Sequence, residues 1–141
     1  MKTRTLLLLS AGCALLILVA GTVFAVQLAG GRKEVPFIAV GTEARLGDMT
    51  VSVDRVTTGA DGTDVVVTMG GVPGASVLAG WRLFGDGRIS EPSSAVAEGV
   101  CDGRSTVPST GSITCIVRFA TVDFLQAVAY TRAGEQRQWK P

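Results

Sequence analysis

Two cysteines, Cys101 and Cys115, bracket the stretch CDGRSTVPSTGSITC and are the side chains here best suited to covalent, redox or metal chemistry. A zinc site needs about four ligands, commonly cysteine and histidine. The chain contains no histidine, so this pair cannot complete one from the usual donors. The C-x-x-C spacing of a dithiol redox centre is absent as well. A labile redox switch needs an exposed, electropositive setting, and Arg104 is the one nearby residue that supplies positive charge. Whether the pair is a staple depends on the compartment in which it lies.

The carboxylates offer less. Asp61 and Asp64 in GADGTD lie close enough in sequence to suggest calcium. An EF-hand loop, however, alternates its ligands and ends in a glutamate, and that pattern is missing. Asp and Gly at this density are better explained as turn formers. A carboxylate-based hydrolase would need two acids meeting across the fold, and no feature of the sequence selects a pair. Without histidine, the serines and threonines lack the usual general base, and GRS, STG and GAS do not form a nucleophile elbow. The net charge of +1, with acids and bases interspersed, shows no electrostatic footprint for nucleic acid. The expectation is a non-enzymatic protein without a cofactor or bound metal.

The compartment is read from the N-terminus. After Lys2 and Arg4 the next charge is Arg32, and residues 6–28 are uncharged and mostly apolar. As a helix this run is about 34 Å long, enough to cross a hydrocarbon core of about 30 Å. It exceeds the roughly 7–15 apolar residues of a removable signal peptide. Val23-Phe24-Ala25 nevertheless offers small residues where signal peptidase would cut after Ala25. The apolar run before Cys13 is too short for a lipoprotein signal. The expected organisation is a cytoplasmic stretch 1–5, a transmembrane anchor 6–28, a linker 29–34 and an extracytoplasmic domain 35–141. This places the protein in the cell membrane as a single-pass chain. The alternative is secretion after cleavage near Ala25.

Outside the cytoplasm, two cysteines in one small domain most simply form a disulfide. Closing this loop contributes about 3 kcal/mol in the chain-entropy model. The bridge would tie the lead-in segment to the strand SITCIVRF.

Beyond residue 34 the apolar period is two. Met49, Val51 and Val53 alternate with Thr50, Ser52 and Asp54; Val65, Val67 and Met69 share a face; Ile113, Cys115, Val117 and Phe119 share another. Such alternation indicates half-buried strands. Between them lie dense turn signals, among them Asp86-Gly87, suited to a two-residue hairpin. Trp81, Phe84 and Phe119 are expected as core anchors. Tyr130 and Trp139 are either further core residues or an exposed aromatic recognition patch.

The stretch AVGTEARLGDMTVSVDRVTTG resembles the opening strands of a family of exported, immunoglobulin-like (telokin-like) bacterial domains of unknown function. WRLFGDGRISEP is similar to its middle strand and hairpin, VPSTGSITCIVRF to its proline-then-glycine turn and following strand, and AVAYTRAGEQRQW to its closing hairpin. Together these motifs cover most of residues 38–139. The departure is at VTMGGVPGAS, where the family usually places an asparagine. The order Trp81, Cys101, Cys115 also differs from the Cys-Trp-Cys order of antibody domains.

The resemblance implies an immunoglobulin-like β-sandwich, surface tethering or secretion, and no catalytic residues. With the strand pattern and the N-terminal apolar run, the expected fold is an all-β, immunoglobulin-like β-sandwich preceded by one transmembrane helix. The expected function is binding or envelope association, with the membrane as one partner and an envelope component or protein as the other. Contact is expected through the loops TTGADGTD, GGVPGAS and EPSSAVAEG, which carry Asp61, Asp64, Pro73, Glu91 and Glu98. The alternative is a secreted structural or antigen-like protein with no dedicated partner.

Overall fold

The computed structural model describes residues 3–31 and 34–141. The chain divides between Glu34 and Val35 into two compact units. The first contains one helix, α1 (Thr3–Gly30), long and apolar enough to cross a membrane. The apolar run 6–28 lies inside it.

The second unit is built of strands: β1 (Phe37–Ala39), β2 (Glu43–Leu46), β3 (Met49–Gly59), β4 (Gly62–Gly70), β5 (Trp81–Gly85), β6 (Arg88–Ser90), β7 (Ser112–Phe119), β8 (Leu125–Arg132) and β9 (Glu135–Lys140). They form a five-stranded sheet in the order β1-β9-β8-β5-β6 and a four-stranded sheet in the order β2-β3-β4-β7. All pairings are antiparallel except β1 with β9, which is parallel.

Period-two patterning puts one face of each sheet into a shared core. Met49, Val51, Val53, Val65, Val67, Met69, Val117 and Phe119 come from the four-stranded sheet. Trp81, Leu83, Val128, Tyr130 and Trp139 come from the five-stranded one. Each fully buried large apolar side chain contributes about 1.5–3 kcal/mol. A bulge interrupts the alternation in β3. Pairing shifts between Val53 and Arg55, so Asp54 is an extra residue. The phase then moves by one, and Val56 opposes Val65 and packs against the core.

One expectation about aromatic residues needs correction, and one open alternative is decided. Phe84 is not a core anchor. It is half-buried on the outer face, because it lies three positions after Trp81 and a strand returns to the same face only at even spacings. Leu83 takes the inward place. Tyr130 and Trp139 form no exposed patch, having 1% and 0% relative exposure. Tyr130 lies opposite Trp81 across the β5–β8 ladder, with ring centroids 4.8 Å apart; Trp139 lies 6.0 Å from Trp81. Each indole N–H is satisfied, Trp81 donating to the Val77 carbonyl and Trp139 to that of Thr42, both at 2.9 Å.

The β5–β6 turn is the two-residue hairpin expected at Asp86-Gly87. Both residues have positive φ, 51° and 69°, the conformation of a type I′ turn, which aspartate and glycine tolerate.

Candidate functional site

Cys101 and Cys115 are joined in a disulfide, their Cα atoms 5.6 Å apart. Cys101 is buried, and Cys115 packs against the core from β7. The bridge is part of an edge closure. The Cys101 N–H donates to the Ile116 carbonyl at 2.8 Å, the Ile116 N–H to Gly99 at 2.9 Å, and the Ser93 N–H to Arg118 at 2.7 Å. Residues 93–101 therefore occupy backbone groups on the outer edge of β7, where an open strand edge would invite pairing with another chain.

The three loops expected to form a contact surface do not converge. The residues of TTGADGTD and GGVPGAS that lie outside strands sit at opposite ends of β4, roughly 30 Å apart at the rise of a strand. Asp61 and Asp64 are at the first end; Pro73 is exposed at the second. The loop carrying Pro73 is tied to the segment after the first cysteine, with Gly74 N–H donating to Val107 at 2.8 Å and Val107 N–H to Ala75 at 2.9 Å. EPSSAVAEG runs along the side of the sandwich instead. Its exposed part carries Glu98, while Glu91 pairs with Arg82 at 2.9 Å. Sequence reading treated each loop separately, and strand direction alone separates them.

Asp61 and Asp64 do share a small cavity of about 170 Å³ with Thr57, Gly59, Ala60, Gly62 and Arg118. Arg118 binds both oxygens of Asp64, Nε to Oδ1 at 2.6 Å and Nη2 to Oδ2 at 2.8 Å. This hydrogen-bonded cation holds the Asp64 carboxyl below its ordinary pKa. Asp86 is also held low, by the N–H groups of Asp123 and Phe124 at 3.0 and 2.7 Å. Asp102 is held low chiefly by the Ser105 hydroxyl at 2.9 Å and the Arg104 N–H at 3.0 Å. A general acid needs the reverse, a carboxyl raised towards neutrality. These three acids work as structural acceptors. Among the described residues no group of three or more His, Cys, Asp or Glu side chains is placed to hold a metal ion.

A second, more open groove of about 430 Å³ is lined by Ser76, Leu78, Ala79, Gly80, Arg82, Glu91 and Pro92. The Arg82–Glu91 ion pair contributes both charges to it.

The outer faces of the sheets differ in chemistry. On the four-stranded sheet Ser52 lies opposite Thr68, and Thr68 opposite Thr114. The bulged Asp54 ties the row together: Ser52 donates to Oδ1 at 2.8 Å and Thr68 to Oδ2 at 2.6 Å. The Thr68 and Thr114 hydroxyl oxygens are 2.8 Å apart. On the five-stranded sheet Ile89 lies opposite Phe84, and Phe84 opposite Ala127. The neighbouring row runs Arg82, Ala129, Gln138, Phe37. Sequence reading missed both surfaces. The alternate positions of each strand held the signal, but which residues face one another depends on register.

No protein-family model matches the chain, and no curated protein matches it in sequence. Among solved structures the chain is similar to MPT63, a secreted protein from Mycobacterium tuberculosis. The superposition has a TM-score of 0.58 at 15% identity, covering 76% of this chain and 98% of that one. At this identity the likeness shows the fold: a β-sandwich of two sheets, here preceded by an apolar helix. That helix fits an exported protein, as signal or as anchor.

Proposed function

We propose that the chain is a membrane-tethered, extracytoplasmic binding or envelope-associated module, its sandwich of the immunoglobulin-like class, with no catalytic activity. The observation that carries this reading is the union of an apolar, membrane-length helix with a disulfide-closed sandwich whose fold is that of a secreted protein. An oxidised cysteine pair belongs on the outside of the cell, and the helix supplies the means of getting there. The downward-shifted carboxylates are consistent with a scaffold role.

Binding on such a scaffold is surface complementarity, not enclosure. The 170 Å³ cavity is below the roughly 300–1,000 Å³ of ordinary small-molecule sites, and the 430 Å³ groove is of that size but open to solvent. The hydroxyl row Ser52–Thr68–Thr114 and the exposed stretch Ser94–Glu98 are the surfaces offered to an envelope component. Photo-crosslinking in intact cells, with the probe at Thr114 or at Glu98, tests this. The expected result is a discrete higher-mass adduct with one envelope component from at least one position. Absence of any adduct from both positions, with the domain folded, contradicts it.

A second reading is favoured by the secreted neighbour: cleavage near Ala25 releases the sandwich as a soluble protein. The two readings differ only in the fate of α1.

A further inference from the structure

Among the described residues of the β unit, four large apolar side chains are exposed: Phe37 at 60%, Ile89 at 63%, Val96 and Phe124. Phe37 and Ile89 lie on the two edge strands of the five-stranded sheet, β1 and β6. The register places both on its outer face, with half-buried Phe84 beside Ile89. Lys140 sits with its ammonium 5.8 Å above the Phe37 ring and has no ion-pair partner among the described residues. Arg82 is balanced by Glu91. The face therefore carries exposed apolar side chains at its two edges and a surplus cation. The opposite face carries the Asp54 carboxylate among hydroxyls, and its Asp64 is balanced by Arg118.

We propose that the outer face of the five-stranded sheet docks on an anionic lipid surface, Phe37, Phe84 and Ile89 entering the headgroup boundary and Lys140 meeting lipid phosphate. This rests on the tether reading. An aromatic ring joined to a long cationic side chain suits that boundary, where the stem and ring are buried and the charge stays with the headgroups. The sequence adds proximity: Phe37 follows the last residue of α1, Gly30, by seven positions. A spanning helix thus keeps the sheet at a high local concentration of lipid, so a modest surface is enough. Docking through Phe37, Phe84 and Ile89 leaves the hydroxyl row, on the outer face of the other sheet, towards the outside.

The test compares the two faces in the full chain reconstituted in vesicles. With Cys13→Ser as background, Ile89→Cys and Thr114→Cys are each labelled with a membrane-impermeant maleimide. The vesicles contain either phosphatidylglycerol with phosphatidylcholine or phosphatidylcholine alone. Ile89→Cys is expected to react several-fold more slowly than Thr114→Cys in the anionic vesicles, with the protection reduced in neutral ones. Lys140→Ala should weaken docking in anionic vesicles by about fivefold, the contribution of one basic side chain near such a surface. Equal rates on the two faces overturn the proposal, as does protection that is indifferent to lipid charge. Protection that follows the protein-to-lipid ratio overturns it in favour of a second copy of the chain. Failure of the tether reading appears elsewhere, as a mature protein lacking residues 1–25 in the medium. The reconstituted full chain reports on docking whichever way that question falls.

Discussion

The two sheets bury the same kind of side chain inward and show opposite chemistry outward. The four-stranded sheet ends in hydroxyls gathered on the Asp54 carboxylate. The five-stranded sheet ends in Phe37, Phe84 and Ile89, with two small alanines buried between longer neighbours. Inward positions are constrained by packing, so valine and aromatic residues recur there on both sides. Outward positions are freer of folding, so a difference between them reports on surroundings. The polar face has the hydrogen bonds of a surface in water, whereas the apolar face leaves large side chains uncovered.

The comparison breaks first at what the faces share. Trp139→Ala removes a fully buried side chain that joins β9 to Trp81 and to the Thr42 carbonyl. A loss of about 3–5 kcal/mol is expected, read from urea denaturation. Next, Cys101→Ser with Cys115→Ser unfastens the strap along β7; about 2–4 kcal/mol should be lost. Faster amide exchange at Ile116 would show that the edge has opened.

The sharpest contrast lies between the faces themselves. Asp54→Ala strips the hydroxyl row of its acceptor and should cost about 1 kcal/mol. Ile89→Thr on the other face should stay within about 0.5 kcal/mol, while lowering retention on a hydrophobic resin. Equal stability losses would mean the two faces are not built differently. Thr63 provides a control in the core: its buried hydroxyl has no hydrogen-bond partner among the described residues. Thr63→Val should therefore be neutral or stabilise by up to about 1 kcal/mol.

Acid gives the smallest effect. Asp64, Asp86 and Asp102 are all held below their ordinary pKa. Their stabilisation is complete above the unfolded value, about 3.9, and is lost as pH falls through the lower folded values. Urea midpoints should be level from about pH 7 to 5 and decline below about pH 4. Asp64→Asn should remove part of that decline.

Much of this architecture was legible in local pattern. The alternation of Met49, Val51 and Val53, the Asp86-Gly87 turn and the export context of the cysteine pair each depend on neighbouring residues or on one leader segment. The rest depends on register. The bulge at Asp54 moves the inward phase to Val56 without a composition signal. The WRLF stretch contains two bulky residues at an odd spacing, and only one of them can share the face of Trp81. Alternation in AVAYTR and RQWK already placed Tyr130 with Val128 and Trp139 with Arg137. What faced the core across the ladder required the pairing. The Asp64–Arg118 contact bridges 54 positions in sequence, and local spacing has no access to it. The spacing of the contact loops was hidden for the same reason: each is a reasonable turn, but β4 holds two of them apart.

The most direct test of a tethered, disulfide-closed sandwich is the intact mass of the mature protein, measured without reduction on membrane and culture fractions. The account predicts a membrane-bound chain retaining residues 1–25 and containing the Cys101–Cys115 disulfide. A product lacking residues 1–25 in the medium would contradict the tether. Free thiols at both Cys101 and Cys115 would contradict the extracytoplasmic placement on which the whole reading rests.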